Sequence, residues 1–471
     1  MSKNPIFFTI SNFGGGGSDK SREISYLNLT AGVPTLCNYF YLSGLAEIKF
    51  DQKYIGQISK YDSFKDFLSF VQKSMIDVDK RYSNYYRPTV GNDDRLLLLD
   101  SGAANIFNRL MKDVSFTNNP KLLMKRVIDE MVSYYDFAAR YKFDYVIGFD
   151  IGGKYTFKGD ERQDTKLIAE NENLKNSSLE VNELLLVKTI EYMLVHQDYK
   201  PKIYATVHGE TPEEYKKCIR RILELEEQYG YCFDGFALGG VASAKKKNIE
   251  QWGLTDDVIK NVKKQYPNFK ASNEFKNAVV ATHALKIVKT AVGDRPIHAL
   301  GAGGKFNIVP LSLAGATSFD CMTPARRAYD GSGESVQFVF DQDYDGDEAL
   351  SKYLIGKIDA DFSVINGDFD FEYMKINEVP NELHLCGCPA CSIIRTIKDV
   401  KILYSNKGNN GEDYYLSRQL MDVHGIWQHV RLSEIMQECN TIADVEHKLT
   451  SEFPLMDEWK ILMTLVYPNF T

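Results

Sequence analysis

Cysteine is scarce in this sequence. Eight thiols in 471 residues are too few and too scattered for a disulfide scaffold, so reduced or metal-bound cysteines and a cytoplasmic setting are expected. No stretch approaches the roughly 18 consecutive apolar residues of a membrane span. The opening MSKNPIFFTISNF has no long apolar run ahead of a small-residue cleavage site. Positive charge is not in excess either. A net charge of -8 excludes a histone-like basic coat, while leaving room for a nucleic-acid enzyme that works through a local basic patch. There is no internal repeat and no convincing interdomain linker. The stretch GGGGSDKS at 14–21 departs from the phosphate-loop pattern, because Asp19 precedes Lys20, and reads as a surface loop.

What remains is an ordinary globular composition, 44% hydrophobic and 25% charged, with length enough for a large core. Short apolar runs recur through the chain, and each halts at Asp or Gly: RLLLLDSG (95–102), DYVIGFDIGG (144–153), KIYATVHG (202–209), FDGFALGG (233–240), PIHALGAGG (296–304) and ATSFDC (316–321). Runs of this kind suit strands buried on both faces. Longer segments of helical character lie between them. One, TPEEYKKCIRRILELEEQYG, opens with Thr211, Pro212 and Glu214, a good helix start. Alternating strands and helices predict an α/β fold with a parallel sheet, in first place a closed (β/α)8 TIM-type barrel and in second a doubly wound open sheet. The expected division is an N-terminal extension with a Gly-rich loop (1–30), a catalytic barrel (31–375), a zinc-binding subdomain (376–440) and a C-terminal helical closure (441–471). In such barrels the chemistry sits at the C-terminal ends of the strands. Asp100, Asp150 and Asp320 would meet there, with Ser101, His208, Gly239, Gly240 and Gly301. Each aspartate alone reads as a helix cap or turn former; three at equivalent ends read as a site.

The densest cysteine cluster is LHLCGCPACS at 383–392. Cys386, Cys388 and Cys391 supply three thiolates within one turn, and a tetrahedral metal needs a fourth ligand. His424 and His429 follow downstream. Three buried thiols without metal, or an iron–sulfur site completed by the distant Cys439, are the alternatives. Three Cys and one His would make a closed, structural zinc set.

From about residue 30 to about 440 the chain resembles the tRNA-guanine transglycosylase superfamily, zinc-containing barrel enzymes that exchange guanine for a 7-deazaguanine. AGVPTLCNYF (31–40) is similar to the family's first-strand segment. LLLLDSG implies Asp100 as general acid/base, with Ser101 beside it. IGFD implies Asp150 as the reader of the bound base. YATVHG puts His208 where the family usually carries glutamine. FALGGVA implies that the backbone at Gly239, Gly240 and Val241 touches the base. SFDCMTPARRAYDG implies Asp320 as nucleophile. The C-x-C-x-x-C with a later V-H implies zinc on Cys386, Cys388, Cys391 and His424.

The resemblance implies a covalent aspartyl-glycosyl route, with Asp320 attacking C1′ and Asp100 moving the proton. Lys245 and Lys246, and Arg326 and Arg327, would contact nucleic acid around a flipped nucleotide. Tyr155 or Phe306 would stack on it. Two departures favour the DNA-acting branch over tRNA. Ala103-Ala104-Asn105 replaces the usual Gly-aromatic-Gln, and Tyr329 and Asp330 stand where tRNA-specific members carry Arg and Asn. A tRNA enzyme of the same chemistry, a non-catalytic partner subunit and a barrel glycoside hydrolase are the competing readings. A homodimer or a helper protein is left open.

Overall fold

The computed structural model describes residues 5–10, 33–45, 55–78, 95–113, 115, 119–151, 172–241, 246–324, 425–427, 429–449 and 456–467. Its centre is a set of eight short strands: β1 (Ile6–Ile10), β2 (Thr35–Asn38), β3 (Leu97–Asp100), β4 (Tyr145–Ile147), β5 (Lys202–Val207), β6 (Gly235–Leu238), β7 (Ile297–Ala299) and β8 (Ser318–Cys321). All neighbours are parallel, and β8 pairs back onto β1 to close a barrel in sequence order. The expected (β/α)8 architecture is therefore observed.

The helices form the outer layer: α1 (Tyr39–Leu42), α2 (Phe64–Val78), α3 (Ala103–Leu110), α4 (Pro120–Arg140), α5 (Glu172–Val195), α6 (Pro212–Tyr229), α7 (Asp256–Gln265), α8 (Asn273–Val292), α9 (Lys305–Leu313), α10 (Ile442–Leu449) and α11 (Met456–Val466). Their starts follow from local chemistry. Thr211 and Glu214 make the reciprocal capping box of α6, with Pro212 in its first turn and Gly230 ending it at φ 64°. Asn119 and Ser272 cap α4 and α8 by accepting from Leu122 and Phe275. No helix among the described residues is long and apolar enough to cross a membrane.

Side-chain alternation along each strand sorts the core into two layers. Phe7, Cys37, Leu97, Leu99, Val146, Ala205, Phe236, Ile297 and Phe319 face the helices. Phe8, Leu36, Leu98, Ile147, Tyr204 and Ala237 fill the barrel interior. Two residues further along, the same inner face carries Asn38, Asp100, Thr206 and Gly239, so the apolar plug gives way to polar groups towards the C-terminal mouth. At the opposite end, Asp144 and Asp234 accept hydrogen bonds from the first N–H groups of neighbouring strands, Leu97 at 2.8 Å and Lys202's successor Ile203 at 2.9 Å. One end of the barrel thus carries bonds that tie strands together, and the other carries the candidate site.

The structure moves two expected boundaries. The barrel begins at Ile6, inside the segment read as an extension, because Ile6–Ile10 pair with both β2 and β8. Thr35–Asn38 is accordingly the second strand and not the first. Residues 429–437 are helical and pack on β1, with the His429 ring 5.0 Å from Phe7 and Leu432 and Met436 buried in the outer core. That stretch, the end of the expected zinc-binding subdomain, packs on the barrel wall; residues 376–424 of the expected subdomain lie outside the described residues. At the C-terminal end, α11 packs on α8 and α9, and Trp459 Nε1 donates to Phe306 O at 2.9 Å.

Candidate active site at the barrel mouth

Asp100 is the last residue of β3 and faces Asn38, the last of β2, across the strand pair. Asn38 Nδ2 donates to Asp100 Oδ2 at 2.7 Å, while Asn38 Oδ1 accepts from Phe40 N at 3.1 Å. The amide is thereby locked with its donor end on the carboxylate. The next residue that matters is Gly102, at φ 60°. A Cβ there would lie 2.3 Å from Asn38 Oδ1, so the turn that aims Asp100 tolerates no side chain. Burial raises the Asp100 pKa to about 7, and the nearby charges of Asp150 and Asp320 add to it; the hydrogen bonds from Gly102 and Asn38 oppose the rise. The three aspartates share one electrostatic neighbourhood, as their strand positions predict.

Asp320 lies in β8, opposite Phe8 of β1, and is 4% exposed. Its Oδ1 accepts from Gly301 N at 2.7 Å and sits 3.1 Å from His298 Nε2. His298, in β7, is completely buried, and its Nδ1 is 2.8 Å from Ser318 Oγ. The loop after β7 is drawn tightly over Asp320: Gly303 N donates to Asp320 O at 2.8 Å, and a Cβ at Gly303 would meet that carbonyl at 2.9 Å.

Asp150 follows β4 by three residues and pairs with His208, one residue past β5, at 2.7 Å from Oδ1 to Nε2. Burial works against a charged imidazole here. The Asp150 carboxylate, through charge and hydrogen bond, outweighs it and raises the His208 pKa above the ordinary value. Gly239 makes room for this pair, since a Cβ there would lie 2.6 Å from His208 Nδ1.

The structure therefore gathers Asp100, Asp150, His208, Gly239, Gly240 and Asp320 at one mouth, and it shows what their neighbours bond to. Ser101 is buried, and its hydroxyl accepts from Ala103 N at 3.1 Å at the start of α3. Gly239 N donates to Val207 O at 2.9 Å, and its carbonyl accepts from the Tyr215 hydroxyl at 2.6 Å. Val241 is fully buried. Of the three backbone groups expected to touch a base, Gly240, exposed and at φ 77°, is the one presented to solvent. Phe306 packs on Phe275 in the helical layer, away from any stacking role.

Two polar residues were not singled out from the sequence, Asn38 and His298. The signal for His298 was present: a lone polar residue at an inward position of an apolar strand, two before Leu300. Lys245, Tyr155, Arg326, Arg327, Cys386, Cys388, Cys391 and His424 lie outside the described residues. Lys246 opens a 3-10 turn, Lys246–Trp252. Among the described residues no group of three or more His, Cys, Asp and Glu is arranged to hold a metal ion.

Chemically, the mouth offers one carboxyl group that exchanges its proton near neutrality, a second with one oxygen held by the Gly301 N–H and the His298 ring, and an Asp–His pair beside them. No protein-family model matches this chain.

Proposed function

We propose that this protein is a transglycosylase that exchanges guanine in nucleic acid, DNA in preference to tRNA, for a 7-deazaguanine base. The observation that carries the reading is the contrast between two carboxyl groups at one barrel mouth. Asp100 has its pKa pushed up to about 7, and Asp320 is held by Gly301 N–H and His298. Retaining exchange at an anomeric carbon needs a proton shuttle beside a fixed nucleophile.

In the first half-reaction an Asp320 oxygen attacks C1′ of a flipped nucleotide. The C1′–N9 bond breaks, its electron pair leaves with guanine, and Asp100 delivers a proton to the departing base. In the second, Asp100 takes a proton from the incoming 7-deazaguanine, whose nitrogen attacks C1′ and returns the electron pair to Asp320. A group titrating near 7 serves both directions equally well. Asp150, oriented by His208, supplies the acceptor for guanine N1–H and its amino group. Ala103, Tyr329 and Asp330 support DNA over tRNA, as argued from the sequence. Structural zinc on Cys386, Cys388, Cys391 and His424 belongs to the same proposal; the cysteine spacing supports it, and the choice of His424 rests on the family resemblance.

The test is incubation with labelled guanine and either duplex DNA or tRNA, with denaturing gels to trap a covalent adduct. Label in DNA and an adduct lost in Asp320→Ala support the reading. Label in tRNA alone reverses the substrate preference. Absence of label and adduct with both nucleic acids overturns the reading altogether.

A further inference from the structure

We infer that the two oxygens of Asp320 have separate tasks: His298 and the Gly301 N–H hold Oδ1 as the carbonyl oxygen of the glycosyl ester, and Oδ2 makes the bond to C1′. This rests on the base-exchange reading of the site and adds a residue, His298, whose part in it is positioning.

Both donors converge on the same oxygen, Gly301 N at 2.7 Å and His298 Nε2 at 3.1 Å. Neither has freedom to retreat. Gly301 N belongs to a turn at φ 64° that follows β7. The His298 ring is fully buried, packed edge-to-face with Phe8 at 6.0 Å between ring centroids, and Ser318 Oγ is 2.8 Å from its other nitrogen. For Nε2 to donate to Asp320 it must carry a proton, and in the tautomer protonated there alone Nδ1 accepts from the Ser318 hydroxyl. The chain Ser318 to His298 to Asp320 thus runs in one direction and ends on Oδ1. His298 and Ser318 are register partners on adjacent strands, so the sheet itself sets this alignment.

The consequence is a difference between the two forms of Asp320. When C1′–Oδ2 forms and C1′–N9 breaks, guanine takes the N9 electron pair and the Asp100 proton, the negative charge passes from Asp320 to Asp100, and Oδ1 becomes a neutral ester carbonyl. When C1′–Oδ2 breaks in the second half-reaction, the pair returns and the charge is restored. Hydrogen bonds to a charged acceptor are roughly twice as strong as those to a neutral one. The two donors therefore favour the carboxylate over the ester. They keep the intermediate from becoming a resting place and leave Oδ2 as the less encumbered, attacking oxygen.

The experiment uses the full chain with a guanine-containing single-stranded DNA oligonucleotide and excess free guanine. Adduct fraction is read on denaturing gels, and labelled guanine exchange is read in parallel. His298→Ala is expected to raise the ratio of adduct to free enzyme roughly tenfold while exchange falls. His298→Gln, whose carboxamide can donate from a similar place, returns the ratio towards wild type. Ser318→Ala, which spares the imidazole, raises it by a smaller factor and covers the case in which His298→Ala does not fold. An adduct in wild type with the ratio unchanged in every folded variant overturns the inference alone. So does a parallel loss of adduct and exchange, the signature of a merely structural histidine. No adduct in wild type with this oligonucleotide, with duplex DNA or with tRNA overturns the inference together with the base-exchange reading.

Discussion

Asn38 Nδ2 donates to Asp100 Oδ2 at 2.7 Å, a side-chain amide set on the carboxyl group proposed to move the proton. The bond favours the charged form of Asp100 and so restrains a pKa that burial drives upward. Asn38→Ala removes that restraint. The alkaline shift expected in the pH–rate profile for guanine exchange is about one unit, the worth of one hydrogen bond to a charged group. A profile that stays in place would mean that Asp100 is not the titrating group.

Asp100 itself links stability to pH. In the fold it keeps its proton up to about 7, against 3.8 as the ordinary value. Between those pH values the folded protein binds the proton and the unfolded chain does not. This group's contribution to stability therefore declines as pH rises through that window. Asp100→Asn carries no buried charge above it. Urea unfolding should show the variant more stable than wild type at pH 8, by up to about 4 kcal/mol, with the gap closing near pH 4. Exchange should fall by at least about a hundredfold in the same variant.

Gly239→Ala places a methyl group 2.6 Å from His208 Nδ1. The ring must move, and its 2.7 Å bond to Asp150 is lost. If that pair reads the base, the KM for guanine rises roughly tenfold, the value of one charge-assisted hydrogen bond. Steady-state exchange kinetics at varied guanine concentration measure it, and an unchanged KM would remove the pair from base recognition.

Tyr134 of α4 reaches the barrel from outside. Its buried hydroxyl lies 2.8 Å from Leu99 O and 2.7 Å from Ile147 O, the carbonyls that precede Asp100 and the Asp150 turn. Tyr135 beside it accepts from Phe149 N at 3.1 Å. Tyr134→Phe leaves two buried carbonyls without that donor and should cost about 1–3 kcal/mol in urea unfolding. Tyr135→Phe, which spares both carbonyls, serves as the comparison for its effect on exchange.

The three aspartates were legible because each ends an apolar run, and the alternating pattern around them dictates a barrel whose strand ends converge. His298 escaped notice because one histidine among apolar residues reads as a satisfied core side chain until its partners are known. Asn38 looked like a turn former at the end of a strand. Ser101 and Gly239 are expected at the ligand from their places at strand ends and from the family resemblance. Position does not reveal that Ala103 N takes the Ser101 hydroxyl, or that Val207 and Tyr215 occupy the backbone of Gly239. Strand β1 was missed because IFFTI is five residues long and stands next to a glycine-rich stretch, without the Asp or Gly stop that marked the others.

That strand has a bearing on synthesis. β1 is the first barrel strand to leave the ribosome, yet one of its two neighbours, β8, emerges about three hundred residues later. Until then the nascent chain holds Asp100 and Asp150 but has no Asp320 to set against them. Closure of the barrel waits for β8, and an alteration in β1, remote in sequence, acts directly on the strand pairing that holds Asp320.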